Sequence, residues 1–261
     1  MANNQGLGLV IAFAQSKGGV GKTTTALGLA LELAERGYKC TMLACDQNTD
    51  VLKVFYKNLD AENFTLVRGV NEENIPSKLE AAETGGADFV IIDTPGGMHE
   101  VSLKAVAASD YCFIPAAVSI LDLASIKQTA KAVTGMEYMV RRKLHHALLW
   151  TRVEIGVSES REQRKLRKDV AVMADKGMEL FNVSMIKRNV YEAMLSYGKT
   201  LYQLRDNKAY TSQTAGKKSQ VEACIANFSA LTDELLEKLV ATGALEAEQP
   251  APLRLVASAE V

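Results

Sequence analysis

Short, nearly continuous apolar runs alternate along this chain with longer stretches in which apolar positions recur every three to four residues. "LGLVIAFA" (7–14) has the length and the unbroken hydrophobicity of a buried strand. Over 22–36, Ala26, Leu29, Ala30, Leu33 and Ala34 fall at i, i+3, i+4, i+7 and i+8, which predicts a helix that Gly37 ends. "KCTMLAC" (39–45) and "FTLVRG" (64–69) read as strands. "IPSKLEAAETGG" (75–86) reads as a short helix with Pro near its start and Gly-Gly at its end. Further strands are predicted at "DFVIID" (88–93), "YCFIPAAV" (111–118), "HALLWTRV" (146–153) and "MELFNVSMI" (178–186). Helical patterns fill 98–108, 121–143, 159–176 and 189–205, and a last helix is expected over 219–241.

Strands and helices that alternate in this way predict an α/β fold: a mostly parallel, doubly wound sheet with helices on both faces. The strands are apolar at nearly every position, as expected when both faces are covered. No linker interrupts residues 1–242, which are expected to form a single domain, and there are no internal repeats. The polar segment 207–220 is expected to be a loop, and 243–261, which lacks periodicity, a disordered tail.

Composition narrows the class. Of 261 residues, 48% are hydrophobic and 23% charged, ordinary proportions for a soluble globular protein with a core. No apolar run reaches the roughly eighteen residues of a membrane span, and the first residues carry no basic leader, so a cytoplasmic protein is expected. Cys40, Cys45, Cys112 and Cys224 are scattered without a C-x-x-C pair and read as small buried hydrophobes. The net charge of −1 is unevenly spread. Residues 141–218 hold 17 basic and 8 acidic side chains, a net +9, and the flanking parts are each −5. A basic third in a near-neutral chain points to a polyanion partner, with solvated helix faces as the alternative.

The chemistry concentrates in "SKGGVGKTTTA" (16–26), between the first strand and the first helix. Gly18, Gly19 and Gly21 let backbone N–H groups, including that of Val20, converge on a phosphate chain at a helix N-terminus. Lys22 is placed to reach the terminal phosphates, the Thr23 hydroxyl to ligate Mg²⁺, and Thr24 to bond an inner phosphate. Ser16 stands where the strict G-x-x-x-x-G-K-[ST] pattern has its first glycine, but the strand–loop–helix context is met. Asp93 ends an apolar strand before Thr-Pro-Gly-Gly, a position suited to holding Mg²⁺ through water. Gly96 and Gly97 give the following loop freedom to respond to the phosphate state.

With its second lysine, Lys17, "KGGVGKTTTA" (17–26) resembles the deviant Walker A motif of the ParA/MinD superfamily. "FVIIDTPGG" (89–97) resembles that family's switch II, and "CDQNTD" (45–50) sits at its switch I. There Asp46 matches the second aspartate of the usual Asp-x-Asp-Pro-Gln, while Ala44 and Gln47-Asn48 depart from it. "FIPAAVSILDL" (113–123), "WTRV" (150–153) and "IKRNVYEAM" (186–194) resemble later family segments, so the likeness spans roughly 8–205. The resemblance implies an ATP- and Mg²⁺-dependent ATPase in which Lys17 reaches across a homodimer to the partner's nucleotide. It also implies that Thr151 and Arg152 lie by the nucleotide and that Asp46 orients the attacking water or holds a metal-bound water. The chain looks most like a short partition ATPase. That implies non-specific DNA binding on the nucleoid, a ParB-like adaptor that stimulates slow hydrolysis, and no membrane. Candidate DNA contacts are Arg161, Arg164, Lys165, Arg167, Lys168, Lys187, Arg188, Lys217 and Lys218, with Arg141, Arg142 and Lys143 in the wider set. The alternatives are a MinD-like ATPase, which needs a basic C-terminal amphipathic helix, an iron protein of the nitrogenase-reductase type, and a relative that positions another cargo.

Overall fold

The computed structural model describes residues 8–46, 55, 59, 61–174, 177–213 and 216–246. Among these, seven strands form one sheet: β1 (Leu9–Phe13), β2 (Cys40–Ala44), β3 (Phe64–Val67), β4 (Phe89–Asp93), β5 (Tyr111–Ala117), β6 (His145–Thr151) and β7 (Glu179–Leu180). Their order is β3-β2-β4-β1-β5-β6-β7, and every pairing is parallel. β1 is central. The chain crosses from it over β4 to β2, returns to β4, and then moves outward through β5, so the C-terminal ends of β1 and β4 flank the point where winding reverses. In open α/β sheets this is where ligands bind.

Both faces are covered. Ile11, Phe13, Ile91 and Phe113 point into one core beneath α1 (Lys22–Glu35), with residues of the later helices α6 (Val190–Tyr197), α7 (Leu201–Asp206), α8 (Lys208–Thr211) and α9 (Lys217–Ala241). Val10, Ala12, Val90, Ile92 and Ile114 point into the other, against α2 (Ile75–Thr84), α3 (Glu100–Ala108), α4 (Leu123–Val140) and α5 (Arg161–Ala174). This period-two division along unbroken apolar strands is what a doubly covered sheet requires. Phe13 stacks on Phe113 at 4.8 Å between centroids, and Phe113 meets Phe181 at 4.8 Å.

Three expected boundaries move. The last strand keeps only Glu179–Leu180, with one further bridge between Val153 and Ile186. In between, Phe181 and Met185 still donate to β6, but the Asn182 and Val183 amides turn to the Glu234 carboxylate of α9 at 2.8 and 2.9 Å, and at the bridge Asn227 Oδ1 accepts from the Ile186 amide at 3.0 Å. The helix expected over 189–205 is two helices. Gly198 takes a left-handed φ of 60°, and Thr200 starts α7 with a reciprocal capping box to Gln203. The expected loop at 207–220 contains α8 and the first turn of α9. Most of the tail expected at 243–261 lies outside the described residues. No described helix is long and apolar enough to cross a membrane.

α1 and α9 approach closely through Gly28. A Cβ there would lie 2.0 Å from Cζ of the buried Phe228. Gly28→Ala should therefore lose about 1–3 kcal/mol to overpacking, although Ala is favoured over Gly in a helix interior by about 1 kcal/mol. In a Phe228→Leu background the same change should lose most of its cost, which a urea-denaturation double-mutant cycle measures. Equal costs in both backgrounds would place the constraint elsewhere.

Candidate functional site

The glycine-rich loop leaves the end of β1 and enters α1 with Gly19 at φ 73° and Gly21 at φ 91°. Gly21 is the N-cap of α1, and no side chain caps that helix start. Its first N–H groups therefore face the loop, an arrangement suited to phosphate oxygens. The loop is braced on three sides. The Thr151 hydroxyl, at the end of β6, donates to the Val20 carbonyl at 2.6 Å. The Thr129 hydroxyl, on α4, donates to Gln15 Oε1 at 2.8 Å and accepts from the Ser16 amide at 3.0 Å. Gly96 packs so tightly on the loop that a Cβ there would come within 3.1 Å of Gly18 Cα. Thr94 anchors that segment by donating its hydroxyl to the Phe13 carbonyl at 2.8 Å.

Below the loop lies the ionic centre. Asp93 is fully buried at the end of β4, and its Oδ2 accepts from the Thr23 hydroxyl at 2.7 Å. Its Oδ1 is buried with no partner. Burial pushes the Asp93 carboxyl up to about 7, with Asp46 adding to the rise and Thr23 and Lys22 opposing it. Lys22 is 6% exposed, and burial lowers its pKa against the pull of Asp93 and Asp46. Its ammonium donates to the Lys17 carbonyl at 3.4 Å. Asp46, half-buried just beyond β2, lines a cleft of about 430 Å³ with Pro95, His99 and Glu100. His99 also contacts the Gly96 carbonyl through Nε2 at 3.0 Å.

These residues fit a magnesium nucleotide. The Thr23 hydroxyl and the unpartnered Asp93 oxygen are hard oxygen donors, and the bare helix start above them offers N–H groups to phosphate. No cluster of three or more His, Cys, Asp or Glu able to hold a metal occurs among the described residues. A cation at this site would draw its remaining ligands from water and phosphate, as Mg²⁺ commonly does. Beside Gly21, Thr24 and Thr25 a further cavity of about 120 Å³ is lined by Arg152, Lys187, Arg188 and Asn189. Arg152 holds a left-handed φ of 55° there.

Lys17 ion-pairs with Asp122, a buried carboxylate in the 3₁₀ turn Ile120–Asp122 that leads into α4. Gln15 and Thr129 are site residues outside the motifs, and Thr94 and Asp122 stand within "FVIIDTPGG" and "FIPAAVSILDL" but carry no role that the motifs name. Asp122 falls within "FIPAAVSILDL", where nothing local distinguishes it from a helix-start carboxylate. Thr151 braces the loop from a buried position, 1% exposed, whereas Arg152 is exposed at the cavity.

The basic residues are not brought together. α5 exposes Arg161, Arg164, Lys165 and Lys168 on one side of the sheet. Arg167 is instead packed, paired with Glu159 at 2.5 Å and lying over the Trp150 ring at 5.0 Å. Lys187 pairs with Glu154 at 3.0 Å and, with Arg188, borders the cavity beside Gly21. Lys217 and Lys218 begin α9 across the sheet, with the Lys217 ammonium 4.4 Å from the Tyr210 ring centroid. All four cysteines are buried, and burial pushes the Cys45 and Cys112 thiols up to about 12.

A parallel sheet with a two-lysine glycine loop at its reversal point defines a P-loop ATPase of the ParA/MinD superfamily, close to the ParA-type partition proteins. Residues 9–241 match the family model described as VirC1 protein, and the chain belongs to that family. It is 28% identical over 230 residues to Protein ParA of Rhizobium radiobacter, covering 88% of this chain and 97% of that one. Among solved structures, apo McdA of Cyanothece aligns with a TM-score of 0.61 at 18% identity, covering 87% of this chain and 99% of that chain. Cobyrinic acid a,c-diamide synthase of Mycobacterium smegmatis, solved with an ATP analogue and magnesium, aligns at 0.60 and 18% identity, covering 94% and 100%.

The raised Asp93 pKa has a consequence for the nucleotide- and metal-free protein. The folded state holds the Asp93 proton more tightly than the unfolded chain, whose value is near 3.8. The stability linked to this group is therefore fully present below pH 3.8 and is lost as pH rises through about 7. Asp93→Asn removes that loss. Its unfolding free energy should gain on the parent by a few kcal/mol between about pH 4 and 8, as urea titrations at stepped pH would show. Parallel profiles for the two proteins would mean that Asp93 folds with its ordinary pKa.

Proposed function

We propose that this protein is a Mg²⁺-dependent ATPase that dimerises with ATP, binds DNA without sequence preference in that state, and segregates plasmid or chromosomal DNA with a ParB-like adaptor. The observation that carries this reading is the pair of lysines around Gly18–Gly21, one buried over Asp93 and the other held at the rim by Asp122. Gly18, Gly19, Val20 and Gly21 offer backbone donors to the phosphates, and Thr24 bonds an inner phosphate. Lys22, whose charge is disfavoured by burial, gains a counter-anion when the phosphates arrive. Thr23 and Asp93 are the residues that would hold Mg²⁺, with Asp46 reaching it through water. The bound cation supplies charge neutralisation on the β- and γ-phosphates. Asp46 also orients the attacking water from its cleft beside Pro95 and His99. Arg152 and the cavity beside Gly21 take the nucleoside end, and Thr151 keeps the loop in place from beneath.

Lys17 is the residue that makes assembly depend on nucleotide. Released from Asp122, it reaches the phosphates bound by a second copy and neutralises charge there, as an arginine finger does. Joining two copies doubles the number of cations facing one duplex, and the release of condensed counterions makes binding steep in salt. A cytoplasmic, nucleoid-bound dimer that lets go of DNA after a ParB-like adaptor speeds hydrolysis is the resulting cycle.

Lys17→Ala should bind ATP with near-parental affinity yet sediment as a monomer with a non-hydrolysable analogue. Lys22→Ala should lose nucleotide binding itself. Dimers of normal stability in Lys17→Ala would remove the lysine from the interface. On DNA, the ATP-bound parent should bind unrelated duplexes equally and the ADP-bound parent far more weakly. For about four phosphate contacts, affinity should fall on the order of a hundredfold between roughly 50 and 200 mM salt. Anisotropy with labelled duplexes reads this, and equal affinity in the two nucleotide states would defeat the proposed cycle.

A further inference from the structure

A second concave site lies away from the phosphate loop. Between α4 and the end of α5, over the N-terminal ends of β6 and β7, is a cleft of about 380 Å³. One wall carries Lys127, Lys131 and Thr134, and the floor carries Lys143, His145 and His146. All three lysines are exposed, and none forms an ion pair among the described residues.

The acidic residues at the cleft do not cancel them. Glu179 is already engaged, accepting from the Lys238 ammonium at 3.0 Å and the Tyr111 hydroxyl at 3.1 Å. Glu137, the other carboxylate on the lining, offsets at most one of the three lysines. His146 is buried and turned to the Leu144 carbonyl through Nδ1 at 2.9 Å. The three lysines therefore leave the cleft net cationic.

We infer that this α4–α5 cleft seats the phosphodiester backbone of duplex DNA, with Lys127, Lys131 and Lys143 as phosphate contacts. The inference rests on the DNA-binding reading proposed above and adds a site to it. Lys127 and Lys131 are one helical turn apart, about 6 Å along the axis, so they present two charges in a row on one wall. The opposite wall belongs to α5 through Met173, and α5 also exposes Arg164, Lys165 and Lys168. Three exposed lysines lining one cleft suit a polyanion that enters it. Long, flexible lysines without internal partners can neutralise phosphates in any sequence, which is what non-specific binding requires.

The test uses the full chain with Mg²⁺, a non-hydrolysable ATP analogue and a labelled duplex of arbitrary sequence. The triple substitution Lys127→Gln, Lys131→Gln and Lys143→Gln should flatten the plot of log affinity against log salt by about 0.9 for each phosphate no longer neutralised. Affinity near 100 mM salt should fall on the order of tenfold or more. A thermal melt shows that the variant is folded. Independently, acetylation of the parent by a lysine-reactive ester, read by mass spectrometry, should be slowed at these three lysines by the duplex. Parental slope and affinity in the triple variant would overturn the proposal, as would weaker binding at an unchanged slope or acetylation that the duplex does not slow. A parent that binds no duplex with the ATP analogue would overturn the DNA reading itself, and the cleft proposal with it.

Discussion

The glycine-loop end of this molecule depends on one buried carboxylate. Asp93 is fully enclosed between neighbouring parallel strands, and only one of its oxygens is bonded, to the Thr23 hydroxyl at the first turn of α1. An ionised carboxylate in such a place is costly unless it is paired. The fold answers with Lys22 above it and leaves the other oxygen unpaired. In the free protein burial therefore holds the proton on Asp93 up to about pH 7, and the magnesium nucleotide proposed above would favour the ionised form. This is pre-organisation in a concrete sense: the cost of burying Asp93 is met when the chain folds, before ligand arrives.

That arrangement requires the loop above it to be fixed to several elements at once. Gly96 lies against Gly18, so that even a methyl group there would require the phosphate loop to shift by a few tenths of an ångström. The Gly97 amide donates to the Gln15 carbonyl, and the Gln15 side chain joins Pro115 of β5 and Thr129 of α4. The Gly96–Gly97 segment is thus bonded through Gln15 to α4, the helix that follows the turn in which Asp122 holds Lys17. The lysine proposed to act in trans is connected to the segment proposed to sense the phosphate through bonds a few residues long.

Much of this is legible in the sequence, for identifiable reasons. The strands are visible because parallel strands covered on both faces must be apolar throughout, and the loop is visible because glycines, Lys22 and Thr23 must occur together there. The places that resist are decided by contacts far apart in the chain. β7 ends early where Glu234 of α9 takes the Asn182 and Val183 amides, and nothing near residue 182 signals that. Gln15, Asp122 and Thr129 look like ordinary strand and helix residues until the sheet brings β1 beside β5. The break before α7 is different: Thr200-x-x-Gln203 is a local capping signal, and continuous apolar spacing on either side of it conceals the stop.

The basic third of the chain shows how a one-dimensional charge pattern maps onto a folded surface. Residues 141–218 are net +9, yet folding divides them among separate tasks. Arg142 donates to the Ala107 and Ser109 carbonyls at 2.7 and 3.0 Å and so ties down the end of α3. Arg167 packs on Trp150, and Arg188 borders the cavity beside Gly21. Meanwhile Lys127 and Lys131, which belong to no basic run, come to share a cleft with Lys143 because α4 and α5 cross over adjacent strands of the same sheet. A run of charge in sequence spreads around a helix, whereas an electrostatic surface is assembled from neighbouring elements. The cationic surface of this protein is therefore better sought between α4 and α5 than within any single segment.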